Sequence, residues 1–299
     1  MKLNENIAIS TGKVLLVPYD AHHVPRYHQW MEDAAIREAT ASERLTLDEE
    51  YENQISWREA CDKLTFIICE PLPLRPALGD PGLLDGNDEE KQREQKEQHS
   101  VDRKLEVPGV LAGRDDGGER MVGDVNLFLT PWEDAGENEG DVNGESICAD
   151  GNQEQRKAYY CAAEIDIMIA EHRHRGKGLG RATVAAFLRF VRRHLDGILA
   201  EYASADAGGG GDESGGRGRP VLRELVAKIN ASNAGSIALF KSLGFRQRGT
   251  VNYFGEIQMV LETFGSGDDG EAVRENAWTG GVEGDGYREM VYDRSRLAK

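Results

Sequence analysis

Long apolar runs are missing from this 299-residue chain, and cations are scarce. Its 36 Lys and Arg stand against 53 Asp and Glu, a net charge of −17. Without an apolar stretch of ~20 residues no membrane span is expected. Met1 to Ser10 also lacks the apolar centre of a secretion signal. A nucleic-acid partner needs a basic face, so the charge argues against one. Cys61, Cys69, Cys148 and Cys161 show no paired metal spacing, and reduced thiols in a cytoplasmic protein are the expectation. His172 and His174 lack a third ligand nearby in the chain, so no metal is expected. Branched apolar residues are thin in 79–119, 133–157, 204–219 and 265–286, which are rich in glycine and charge. Such segments cannot bury enough surface to offset chain entropy and read as solvated or disordered insertions. Without them one compact domain remains.

What is present is concentrated around Arg173-His174-Arg175-Gly176-Lys177-Gly178-Leu179-Gly180. Before it, Ala163 to Ala170 alternates apolar and polar, the period of a half-buried strand. After it, Val184, Leu188, Val191 and Leu195 repeat at helical spacing, with no Gly or Pro from Arg181 to Leu195. A strand, a glycine turn and a helix start form a device for holding phosphate: the backbone N–H groups can approach, and the helix start carries partial positive charge. Arg173, Arg175, Lys177 and Arg181 add cations. A P-loop is excluded because Lys177 is followed by Gly178 rather than Ser or Thr. A dinucleotide fingerprint is excluded because position 181 is Arg.

The remaining pattern, Arg-x-x-Gly-x-Gly from Arg175 to Gly180, resembles the coenzyme A pyrophosphate loop of the Gcn5-related N-acetyltransferases (GNAT). A second signature follows. Glu224 to Asn230 reads as a strand, then Asn233 caps a helix whose Ile237, Phe240 and Leu243 share a face ended by Gly244. The order Asn, Ser, apolar face, Leu-Gly-Phe is similar to the family's pantetheine-binding element. Lys13 to Tyr19, His23 to Met31, Thr40 to Glu43, Leu45 to Tyr51, Ser56-Trp57, Asp62 to Ile67 and Gly123 to Leu129 look like the N-acetyltransferase-9-like branch.

The resemblance implies an α/β (α+β) GNAT fold: a central, mixed, mostly antiparallel sheet of about seven strands with helices on both faces. Strands are expected at 13–19, 63–70, 119–129, 159–170 and 221–230, and helices at 22–31, 46–61, 180–195 and 233–242. A closing hairpin is expected from 247–262 and 287–292. The acetyltransferase domain spans 13–262, with inserted loops at about 71–118, 131–157 and 197–219. A C-terminal extension, 263–299, holds a loop (263–286) and a last strand (287–293).

The resemblance also implies direct transfer of acetyl from acetyl-CoA to an amine in a ternary complex. Backbone groups of Met168, Ile169 and Ala170 would pair with the pantetheine, although plain core packing also accounts for Met168 and Ile169. The turn from Arg175 through Gly176, Lys177, Gly178 and Leu179 to Gly180 would hold the pyrophosphate, and Asn233 the pantetheine arm. An N–H near Met168 would bind the oxyanion. Glu164 and Asp166 lie two apart on one strand and share a face opposite Ile165, Ile167 and Ile169. They are the candidate general bases, Glu164 first, against the alternative of a solvated polar face. Phe240 stands where many relatives carry a Tyr acid, which leaves Tyr253, water or an unassisted thiolate. Lys241 could reach phosphate or simply face solvent. The expected acceptor is a protein or peptide amine, an α-amine or lysine, taken by a monomer whose acidity attracts cationic peptides. A polyamine-type small molecule is the alternative, as is a slow regulatory binding module.

Overall fold

The computed structural model describes residues 1–73, 109–132, 159–204, 218–262, 264 and 286–297. Ten strands form one sheet in the order β4-β10-β1-β2-β3-β5-β6-β7-β9-β8. These are β1 (Ile7–Ser10), β2 (Leu15–Pro18), β3 (Lys63–Cys69), β4 (Val110–Leu111), β5 (Met121–Pro131), β6 (Tyr159–Ile169), β7 (Pro220–Asn230), β8 (Arg246–Arg248), β9 (Glu256–Leu261) and β10 (Arg288–Asp293). Among the described residues only β6–β7 and β10–β4 pair in parallel. The helices are α1 (Val24–Met31), α2 (Ala34–Ala39), α3 (Leu47–Glu59), α4 (Leu179–Arg193), α5 (Leu195–Ser204) and α6 (Ala234–Ser242).

Strand alternation sorts the interior into two cores. On one face Leu64, Phe66, Ile68, Val125, Leu127 and Ile165 meet Phe187, Leu188 and Phe190 of α4. Phe66 sits edge-on to Phe187 and Phe190, with centroids 6.0 and 5.2 Å away. On the other face Leu15, Val17, Ile67 and Met168 pack with Tyr19, Tyr27, Trp30 and Ile36 from α1, α2 and the segment before them. Each such buried side chain contributes roughly 1.5–3 kcal/mol. Local signals set the helix starts. Thr46 and Glu49 form a reciprocal capping box at α3, and Asn233 Oδ1 accepts the Ser236 N–H at 3.1 Å at α6.

The sheet is three strands larger than expected, and its far edge is arranged differently. Residues 246–248 and 256–261 do form a hairpin, but the C-terminal strand does not close it. β10 pairs antiparallel with β1, Ile7 opposite Val291 through Ser10 opposite Arg288, at the other end of the sheet. Four-residue β1 and two-residue β4 are too short to show a period. Residues 110–118, expected in an insertion, belong to the fold, since Asp116 is fully buried there. Helix α5 likewise occupies the start of the expected 197–219 loop, with Ile198 and Leu199 buried. Most of the remainder of the expected insertions lies outside the described residues, as does Cys148.

Candidate functional site

Strands β6 and β7 pair from Tyr159 opposite Pro220 to Glu164 opposite Val226, and there the pairing stops. Strand β6 continues to Ile169 along β5, and β7 continues to Asn230 along β9. The two therefore part, leaving the edge of β6 beyond Glu164 without a β7 partner. Directly past that edge the chain turns through Gly176 (φ +72°) and Gly178 (φ +77°) into α4. Gly178 is the N-cap and no side chain caps the helix. The first N–H groups of α4, from Leu179 and Gly180, therefore lack intrahelical partners. A Cβ at Gly176 would meet nothing within 4 Å, and one at Gly178 would meet only Lys13 Nζ, at 3.9 Å. The turn is open and electropositive, which suits a phosphate group.

Not every residue of the motif faces that opening. Arg175 folds back, its Nε donating to the Ile169 carbonyl at 2.8 Å, so it braces the strand end. The Ala170 N–H donates to Val122 O at 2.9 Å and is already engaged. Gly180 is a packing glycine: a Cβ there would lie 2.8 Å from Leu239 Cδ1. Met168 packs in the α1-side core, while Ile169 lies against the other. Leu179 also packs against the α4-side core. Lys177 is exposed at the turn. Asn233 spends Oδ1 on the helix cap and keeps its amide N–H groups as donors. Lys13, from the turn before β2, is a cation of the site that sequence reading missed, because nothing local links it to a turn 165 positions later.

The opposite side of the site is acidic. Glu164 and Asp166 share one sheet face with Asp124 and Asn126 of β5, since Asp166 opposes Asn126 and Met168 opposes Asp124. Glu164 is bound by Lys228 Nζ at 2.7 Å, and this partner raises the lysine's pKa. Asp166 is exposed. Its carboxyl is nonetheless pushed up to about 6, by desolvation first and by the Glu164 charge second. Asp124 is 2% exposed. Burial, with the Asp166 charge added, raises it to about 7 against the bond from Asn126 Nδ2 at 2.7 Å. Sequence reading missed Asp124 and Asn126. The available signal was two polar residues at period two inside an otherwise apolar strand. Phe240 is core, edge-on to Phe245 at 5.0 Å, and Tyr253 is 95% exposed at the β8–β9 tip.

A clamp joins the two sides. Glu171, the second residue past the β6 end, accepts from Trp30 Nε1 at 2.9 Å and from Arg26 Nη2, both on α1. His174 in the turn lies 3.2 Å from Glu70 at the end of β3.

Among the described residues one group has metal-type ligand atoms close together: His22, His23 and Asp116. Its bonding suits a knot rather than an ion. His23 Nδ1 accepts the Asp20 N–H at 3.0 Å, which leaves the ring proton on Nε2, 3.2 Å from Asp116 Oδ2. Tyr292 donates to the same oxygen at 2.5 Å. Cys69 and Cys161 are buried, and burial raises both thiols, Cys161 to about 11. No helix among the described residues is long and apolar enough to cross a membrane.

Comparison with known proteins agrees with this geometry. A family model described as an acetyltransferase (GNAT) domain matches residues 13–246. An N-acetyltransferase 9-like protein of Schizosaccharomyces pombe is 34% identical over 87% of this chain and 98% of its own length. The alpha/beta-tubulin-N-acetyltransferase 9 of Homo sapiens is 33% identical over 87% of this chain and 86% of its own. That of Drosophila melanogaster is 32% identical over 87% and 88%. The parted strands, the glycine turn at a helix start and these likenesses together establish that the chain belongs to the GNAT acetyltransferases, among the N-acetyltransferase 9-like proteins, and is an acyltransferase.

Proposed function

We propose that the protein transfers acetyl from acetyl-CoA to an amine of a protein or peptide, by direct attack. The observation that carries this reading is the position of the gap between β6 and β7: an open electropositive turn lies at one end and a carboxylate-rich sheet face alongside. When bound, acetyl-CoA supplies an activated acetyl thioester. Its phosphates fit the N–H groups of Leu179 and Gly180, with Gly176 and Gly178 open to close approach and Lys13 and Lys177 adding charge. The free edge of β6 near Met168 and Ile169 and the amide of Asn233 fit the pantetheine. Ala170 and Arg175 support this edge from behind.

The acceptor enters as an ammonium and must lose a proton before attack. We rank the two strand carboxylates in the opposite order to the one expected from sequence. Glu164 is occupied by its ion pair with Lys228, whereas Asp166 is exposed and, with its raised pKa, suits a base working near neutral pH. Asp166 is therefore the proposed base, and Glu164 tunes it.

The relatives named for tubulin favour a protein acceptor, and the acidic face suits a cationic amine. Tubulin is the first substrate to test. The wild type should be assayed with tubulin, with peptides bearing free α-amines or lysines, and with a polyamine panel. Acetylation of tubulin or peptide, with kcat/KM above that for polyamines, supports the reading. Transfer to polyamines alone would replace it with a small-molecule acetyltransferase, and no transfer anywhere with the regulatory alternative.

A further inference from the structure

The turn that joins β6 to α4 runs from Glu171 to Gly178 without one apolar side chain, and none of its residues is buried. Hydrophobic packing therefore cannot fix where the turn lies, and polar ties must do so. Its own backbone bonds, His174 N–H to Glu171 O at 2.9 Å and Arg175 N–H to His172 O at 3.1 Å, shape the turn without anchoring it. Arg175 reaches back only to the strand end before it. His174 meets Glu70, a partner that is itself exposed.

Glu171 is the tie to a buried anchor. Its Oε1 accepts from Trp30 Nε1 at 2.9 Å and from Arg26 Nη2, two donors about one turn apart on α1. Trp30 is 5% exposed and belongs to the α1-side core. A buried indole N–H calls for an acceptor. Arg26 lies over the same ring, 5.9 Å from its centroid. Arg173, in the turn itself, comes within 3.8 Å of Glu171 Oε2. Desolvation works to raise the Glu171 carboxyl, but the bonds from Trp30 and Arg26 hold it below its ordinary value. It is therefore a charged acceptor at neutral pH.

The rest of the turn is cationic, with Arg173, Arg175 and Lys177 in it and Lys13 beside Gly178. By charge alone, a carboxylate here weakens the binding of phosphate. By geometry, it fastens the turn that receives the phosphate. The two effects have opposite signs.

We propose that Glu171 is the positioning residue of the cofactor turn: through Trp30 and Arg26 it ties the turn to α1 and so sets the Leu179 and Gly180 N–H groups for phosphate. The proposal rests on the acetyl-transfer reading. The Glu171 carboxylate is spent on α1 and acts through the turn, not on the ligand.

The test is Glu171→Gln, which keeps the size and removes the charge. If charge alone counted, the variant would bind acetyl-CoA more tightly, because a repelling carboxylate is gone and Arg26 and Arg173 are released. A loosened turn predicts the reverse. A bond to a charged group is typically worth a factor of about ten or more. Affinity for acetyl-CoA, by calorimetry, should therefore fall about tenfold. KM for acetyl-CoA should rise to match, with kcat at saturation nearly unchanged. Trp30→Phe keeps a ring in the core and removes one donor, so it should weaken binding in the same direction, by less. Unchanged or tighter binding by folded Glu171→Gln would overturn the proposal, and so would a loss confined to kcat.

A second measurement needs no ligand. The His174 and Arg175 amides, bonded within the turn, should exchange with solvent about tenfold faster in Glu171→Gln, while the amides of β5 stay as protected as in the wild type. Equal exchange of the turn in the two proteins would also overturn the proposal. Should Glu171→Gln not fold, Trp30→Phe carries both measurements with the same signs. A wild type that does not bind acetyl-CoA would defeat the acetyl-transfer reading instead, and the exchange rates would still decide whether Glu171 holds the turn.

Discussion

At the scale of single residues, glycines separate folding from binding. A Cβ at Gly123 would lie 1.8 Å from the Met168 carbonyl oxygen, backbone against backbone across β5–β6. Gly123→Ala should therefore prevent that pairing and abolish cooperative melting. Gly180→Ala presses only on the flexible end of Leu239. Overpacking costs typically 1–3 kcal/mol and should here be about 1 kcal/mol, with acetyl-CoA affinity nearly unchanged in calorimetry. Both variants read the same residue type; their structural surroundings decide the outcome. Glu164 and Asp166 also part company. Asp166→Asn should lower kcat by roughly 10²-fold. Glu164→Gln should be milder, and should move the acid limb of kcat/KM to lower pH, because the Glu164 charge helps raise Asp166. An acid limb that moves upward would contradict the tuning role. None of these distinctions was visible in the sequence. Alternation put Glu164 and Asp166 on one face correctly, but the Lys228 ion pair that sets them apart joins residues 64 positions distant.

At the scale of elements, legibility followed length and local signal. Strands β3, β5, β6 and β7 carry enough alternation or apolar content to be read directly. The turn into α4 carries glycines whose left-handed φ only they adopt readily. What was missed is short or held by distant partners: β1, β4, α2 and the pairing of β10. The knot of Asp116 with His23 and Tyr292 shows why. It fastens residues 93 and 176 positions from the aspartate, and no window of sequence contains it. The same knot revises what can be removed from the chain. Replacing residues 79–108 by a short Gly/Ser linker should leave cooperative melting within a few degrees of wild type, since loop length changes closure entropy slowly. Extending the replacement to 117 removes Asp116 and leaves buried His23 without its acceptor. That should cost at least 1–3 kcal/mol, measured by denaturant titration. Equal stability of the two deletions would mean the knot is idle.

At the scale of the whole molecule, two sets of buried groups pull stability in opposite directions with pH. The His23 pKa is lowered by burial, so the folded form resists protonation. Stability is lost as pH falls below the ordinary histidine value of about 6.5. The Asp116 carboxylate is held well below the usual range by its hydrogen bonds to His22, His23 and Tyr292, against its own desolvation. Its contribution disappears only in stronger acid. Asp124, raised to about 7, does the reverse. It binds its proton more tightly folded than unfolded, so stability declines as pH rises from about 4 to about 7. A shift of about three units corresponds to about 4 kcal/mol at most. Asp124→Asn should therefore melt progressively higher than wild type as pH is raised from 5 to 8. A gap that stays constant would show that the carboxyl does not titrate in that window. Stability given up at the site is a common cost of function.

The central claim, that acetyl-CoA is held where the chain turns from β6 into α4, is most directly tested by calorimetry. Acetyl-CoA should be titrated into the wild type and into Gly176→Ala/Gly178→Ala, with circular dichroism to verify folding. Neither new Cβ meets protein within 3.4 Å, so the loss of fold should be limited to the strain of two left-handed positions. The phosphate, by contrast, would meet two methyl groups at its cradle. The account predicts tight binding by the wild type and at least a tenfold weaker affinity in the folded double variant. Equal affinity in the two folded proteins would contradict it.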